Sequence, residues 1–205
     1  MNHRRTFLTQ LGALAAMTAV DGDELNAGAA PPDGTWDTSW IQSLSSASYR
    51  VVFNAEDIAE GAAMDYAETF LNHFHEAHGT DDRQTRPVIV FRRLGTPLAL
   101  DDLLWDRYSI GQDRGIEDGR TRAPAKRNLY KKRIETLRDR GLISLVCNIA
   151  LHNWSAQAAK RTNRKVDEVI ADARANLITG TIIVPSGIYA LIRAQNAGCA
   201  FMPGT

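Results

Sequence analysis

The chain has 205 residues, 44% hydrophobic and 23% charged, which suits one domain with an ample core. Its 24 basic residues balance its 24 acidic ones, so a formal net charge of +0 leaves no general electrostatic footprint for nucleic acid or an acidic membrane. Two cysteines are too few for a disulfide scaffold, although a single bond between Cys147 and Cys199 stays open in an oxidising compartment.

The amino-terminal segment carries Arg4-Arg5-Thr6-Phe7-Leu8, then a short Ala-rich apolar stretch over residues 11–20, then Ala27-Gly28-Ala29-Ala30. Paired arginines, a short apolar stretch and small residues at a cut resemble a twin-arginine export signal. The stretch is about half the roughly 20 residues needed to span a bilayer, so no stable membrane span is expected after cleavage. Residues 1–30 are therefore read as the signal, the export machinery as one partner, and the periplasm as the destination. Residues 31–48 form an extension anchored by Trp36 and Trp40, and residues 49–205 form the domain.

Residues 49–53 read as a first strand, with Asn54 as N-cap of the next helix and Glu56 and Asp57 in its first turn. Ile58, Ala62, Tyr66, Phe70 and Phe74 continue at helical spacing until Gly79 closes the segment. Residues 87–91 form a second apolar strand ending in Arg92-Arg93, and residues 101–108 a short helix. Residues 111–127, dense in Gly, Arg, Lys and Asp, read as a mobile surface loop or a lid over the sheet edge. A helix over 129–138 leads into the apolar run 142–147, which ends in Cys147 and breaks into Asn148. Helical stretches follow at 154–160 and 166–177, then a fourth strand at 181–184. Pro185-Ser186-Gly187 turns that strand into a helix through Gln195, and residues 199–202 form a fifth strand.

Strands alternating with helices predict a parallel α/β sheet covered on both faces. Right-handed crossovers put every strand-to-helix turn at one edge, which collects Asn54, Arg92, Cys147, Asn148, Pro185 and Ser186. No Gly-rich phosphate loop follows the first strand and no Gly-x-Ser-x-Gly elbow is present, so nucleotide and α/β-hydrolase sites are not expected. His73 and His75 diverge by about 160° on a helix, and no second ligand cluster supports His75 with His78; no metal and no cofactor are expected. Ser186 reads as a helix N-cap whose open N–H groups suit an anion. A thiolate at Cys147, near that helix end and Arg92, would have a lowered pKa and serve as a nucleophile. The competing reading of Cys147 is an inert buried thiol.

The strand ending in Cys147, the turn Val184-Pro185-Ser186-Gly187-Ile188, the close Ala194-Gln195-Asn196-Ala197-Gly198-Cys199-Ala200 and the segment from Pro97 to Gly111 resemble DsrE/DsrF-like proteins of sulfur metabolism, in particular exported members. The resemblance spans residues 49–203. It implies a three-layer α/β/α fold with a mostly parallel five-stranded sheet, assembly into homo-oligomers, and sulfur relay through a cysteine persulfide. Only Cys147 matches the persulfide position; Cys199 stands where an aromatic residue is usual and is given no catalytic role. The expected function is periplasmic sulfur handling. Cys147 would be the carrier, Ser186, Gly187, Arg92 and Asn148 would hold the ligand, and a donor or acceptor protein would be the partner. The alternative is a non-enzymatic oligomeric module that binds a small anion or a partner protein, with Cys147 a structural thiol. A third reading makes the protein a structural subunit with an oligomeric surface through Trp105 and Tyr108.

Overall fold

The structure is a computed structural model that describes residues 35–205; the twin-arginine segment and its cut lie outside the described residues. Five strands form one sheet: β1 (Tyr49–Ala55), β2 (Thr85–Phe91), β3 (Ile143–Cys147), β4 (Ile182–Val184) and β5 (Ala200–Pro203). All pairings are parallel, in the order β4-β3-β2-β1-β5. The helices are α1 (Ser39–Leu44), α2 (Ala62–His78), α3 (Asp102–Arg107), α4 (Ile110–Arg114), α5 (Lys131–Asp139), α6 (Asn148–Thr162), α7 (Val166–Ala175) and α8 (Gly187–Asn196). This is the three-layer α/β/α architecture expected from the alternation.

The strands read as unbroken apolar runs because both faces are covered. Phe53, Ile89, Phe91 and Val146 point into a large core with α2 to α7. Their neighbours Val52, Val88, Val90 and Leu145 point into a smaller core with Trp40 and Leu44 of α1 and Ala190, Leu191 and Ala194 of α8. The two-sided layering follows from connection order. The chain steps from β1 through β2 and β3 to β4 in one direction, then reverses across the sheet to β5. Right-handed crossovers put the helices of the outward run on one face and α8, on the return, on the other.

Three sequence expectations change. Asn54 is no helix cap: β1 continues to Ala55, with Asn54 paired in register between Val90 and Pro203. Strand pairing on both sides outweighs the local capping preference, and α2 starts only at Ala62, after Gly61 in the left-handed region at φ 92°. Residues 111–127 are not a detached loop. Gly111 and Ala125 are buried, α4 occupies its start, and a bridge pairs Glu117 with Pro124. Trp105 and Tyr108 offer no oligomeric surface, because both are fully buried in the large core.

Tyr108 also anchors an ionic knot between α3 and α7. Its hydroxyl donates to Asp172 Oδ2 at 2.6 Å, and Arg107 Nη1 donates to the same carboxylate at 2.5 Å. Burial alone would raise the Asp172 pKa, but the bonds from Arg107 and Tyr108 outweigh it and hold the carboxyl below its usual range. A depressed folded-state pKa gives stability that is complete above the unfolded value near ~4 and lost as pH falls through the folded value. The acid side of a urea-midpoint profile should therefore flatten in Asp172→Asn. An identical slope below pH ~4 in both proteins would remove Asp172 from the acid response.

Candidate active site at the carboxyl edge of the sheet

The connection reversal places a topological switch between β3 and β4. The helix after β3 lies on one face and the helix after β4 on the other, so a crevice opens between their amino ends. Cys147 closes β3 and lies in register beside Val184 at the end of β4. No linker follows it. Cys147 is itself the N-cap of α6, in extended conformation, and its Sγ accepts from the Ala150 N–H at 3.4 Å. On the other wall Ser186 caps α8 as expected, its Oγ accepting from the Tyr189 N–H at 3.0 Å. That cap leaves the N–H groups of the first α8 residues, Gly187 and Ile188, directed out of the helix end.

A cavity of about 320 Å³ fills the crevice. Cys147, Ser186, Gly187 and Arg92 line it together, as the sequence placed them. Asn148 does not: it is fully buried beneath the site, its Oδ1 accepting from Arg174 Nη2 of α7 at 2.9 Å. Cys147 is only 6% exposed, and what it exposes faces this cavity.

Arg92 follows β2 in extended conformation, and Arg93 opens the 3-10 turn Arg93–Ala99 with φ 51°, a left-handed conformation that residues other than glycine seldom adopt. Both side chains reach Glu56, at 3.1 Å from Arg92 Nη1 and 3.8 Å from Arg93 Nη1. The Arg92 stem passes over the start of α8, where a Cβ on Gly187 would come within 2.8 Å of Arg92 Cδ. Glycine at 187 is thus what lets the arginine lie across the helix end.

The remaining wall comes from α4, in the segment read from sequence as a surface loop or a lid over this edge, and from α6. Arg114 of α4 lines the cavity, largely buried and paired with Asp113, whose carboxylate also meets Arg161 at 3.2 Å. Asn153, Trp154 and Gln157 of α6 line it too. Their signal was the spacing 150, 153, 154, 157 behind Cys147, visible only if α6 is read as starting at Asn148 and not at Trp154. Three guanidinium groups and no carboxylate line the cavity. The site is therefore suited to negative charge, strengthened by two helix amino ends.

Other candidates separate in space. His73 lines an apolar groove with Tyr49 and Phe70, His75 Nε2 lies 3.3 Å from both Asp82 Oδ1 and Thr85 Oγ1, and the His78 ring stacks on Tyr49. Cys199 lies just before β5 at the amino edge of the sheet, with β2 and β1 between its strand and β3. Both cysteines are free, and a bond between them is excluded by that separation. Burial pushes the Cys199 thiol up to about 11, against a smaller opposing effect of Arg50.

No helix among the described residues is long and apolar enough to cross a membrane. No family model matches the chain, and no curated protein matches it. Among solved structures it is similar to a protein of unknown function, MTH1491, from Methanobacterium thermoautotrophicum, at 17% identity and a TM-score of 0.45, over 76% of this chain and 98% of that one.

Proposed function

We propose that the cavity at the β3–β4 switch binds a sulfur-bearing anion and that Cys147 carries sulfane sulfur taken from it, as the resemblance to DsrE/DsrF-like proteins implies. One observation supports this above the others: the single cysteine of the carboxyl edge opens into a cavity lined by Arg92, Arg93 and Arg114. The amino end of α8 and the three guanidinium groups line the space that a sulfur attached to Sγ would enter, and they suit an anionic ligand there.

A second reading is an anion-binding module with an inert thiol. The low exposure of Cys147 and its role as the α6 cap favour that reading. Sulfur uptake separates the two. Wild-type protein incubated with polysulfide should gain the mass of one sulfur atom and be alkylated rapidly near neutral pH. Cys147→Ser should lose both with its fold intact, and Cys199→Ser should keep both, since the buried Cys199 thiol stays protonated there. A Cys147 that takes up no sulfur and resists alkylation until unfolded would leave the inert-thiol reading standing.

The same proposal sets the protein in the periplasm, on the motif Arg4-Arg5-Thr6-Phe7-Leu8. Assembly into homo-oligomers and a donor or acceptor protein belong to it as further parts. Arg4→Lys with Arg5→Lys should retain the full-length chain inside the cell; unchanged export would refute the twin-arginine route.

A further inference from the structure

The walls of the cavity restrict which donor it takes. A volume of about 320 Å³ is about ten times the ~30 Å³ share of a water molecule, and it falls at the lower end of cavities that hold small organic ligands, ~300–1,000 Å³. A sulfide or a single tetrahedral oxyanion would leave most of it empty. The lining is also divided. Arg92, Arg93 and Arg114 supply charge, whereas Leu94, Ile149 and Ile188 supply apolar surface. Leu94 and Ile188 are half exposed and Arg93 more so, so these side chains rim the mouth while Arg92, Arg114 and Cys147 lie deeper.

A second, independent feature is Trp154. It lines the cavity, it is 2% exposed, and its Nε1 has no hydrogen-bond partner among the described residues. That N–H is enclosed by protein atoms, so what Trp154 offers a ligand is an apolar part of its ring. Asn153 and Gln157, one helical turn apart on α6, add two amide groups to the same wall. Guanidinium forks match carboxylates, and amide side chains match peptide groups.

We infer that the sulfur donor is a small organic persulfide with an apolar or peptide skeleton and at least two carboxylates, not an inorganic sulfur anion; this rests on the sulfur-carrier reading of Cys147. The carboxylates engage the arginines, the skeleton lies between Leu94 and Ile188, and the amides of Asn153 and Gln157 meet its polar groups. In the transfer the Cys147 thiolate attacks the outer sulfur of the donor. A new S–S bond forms on Cys147 as the donor's S–S bond breaks, and the bonding pair leaves on the donor's inner sulfur. The proton of the outer sulfur passes to that departing thiolate, which leaves as a thiol, with no net oxidation or reduction.

The test compares glutathione persulfide, its diethyl ester and thiosulfate, at equal concentrations, as donors to the full protein. The readout is the initial rate at which Cys147 gains one sulfur by intact mass. Glutathione persulfide is expected to react at least tenfold faster than the ester or thiosulfate. Equal rates for acid and ester, or for acid and thiosulfate, overturn the donor class while leaving Cys147 as a carrier. No uptake from any of the three, or from polysulfide, overturns the carrier reading and the donor assignment with it. Binding of S-methylglutathione to Cys147→Ser protein, read by calorimetry, probes the walls without transfer. Gln157→Ala or Arg114→Gln added to that protein should each weaken binding about tenfold or more, since each removes a hydrogen bond to a charged or polar ligand group. Unchanged affinity in both overturns the assigned walls.

Discussion

Trp105→Ala is expected to remove about 4 kcal/mol of stability, a large share of the ~5–15 kcal/mol that holds a domain of ordinary stability together. Trp105 is fully buried, its ring tilted against Tyr130 at 6.4 Å between centroids, and its Nε1 donates to the Pro97 carbonyl at 3.0 Å. Truncation loses the transfer free energy of the indole, leaves a void under the turn Arg93–Ala99, and takes one of two donors from Pro97 O, which keeps the Leu100 N–H at 3.2 Å. Trp105→Phe keeps most of the volume and should cost far less, about 1–2 kcal/mol for the hydrogen bond and imperfect fit. Urea unfolding of the two variants separates void from hydrogen bond, because the midpoint falls at an unchanged slope if both stay two-state. A loss below about 2 kcal/mol in Trp105→Ala would mean that the core collapses around the gap.

The second large effect concerns Arg92. Arg92→Met should raise the donor concentration for half-maximal sulfur uptake by about ten- to a hundredfold, the loss of a charge-assisted pair. Stability should change little, because Glu56 is partly exposed and Arg93 stands 3.8 Å from it as a substitute partner. Gly187→Ala tests position apart from charge. Its new Cβ would press on Arg92 Cδ at 2.8 Å, so the stem must leave the α8 amino end with its charge intact. A weaker effect of the same sign is expected. If Gly187→Ala shifts uptake and Arg92→Met does not, the glycine matters for the helix end and not for the arginine.

Much of this arrangement is legible in the residues. Apolar runs covered on both faces mark β2 and β3, and the step from Arg140-Gly141 into the β3 run fixes Cys147 at a carboxyl end. Ser186 reads as a cap because its side chain satisfies a donor only three residues away, an interaction carried by local sequence alone. What is not legible depends on distance along the chain. Asn54 has the composition of a cap, yet partners 36 and 149 positions later, Val90 and Pro203, keep it in a strand. Arg114 looks like one charge of a solvated face, and only packing of α4 against the domain brings it to Cys147. Trp105 and Tyr108 look like surface aromatics beside charged neighbours, whereas the short helix α3 turns them inward. Asn148 follows the cysteine directly, but as the first residue of α6 it turns toward Arg174 and away from the cavity.

The two jaws of the crevice differ in stiffness. The Cys147 jaw is set on β3, an interior strand hydrogen-bonded on both sides and joined to α6 without a linker. The opposite jaw is entered from β4, an edge strand of three residues paired on one side only. Local opening is easiest where ladder bonds are few. If the crevice binds a ligand as proposed, one slightly too wide would be admitted by yielding of β4 and the turn after it, since α8 itself packs on the middle of the sheet, while Cys147 keeps its place. On the sulfur-carrier reading, selectivity in size would be governed from the edge of the sheet, and the geometry of attack from its interior.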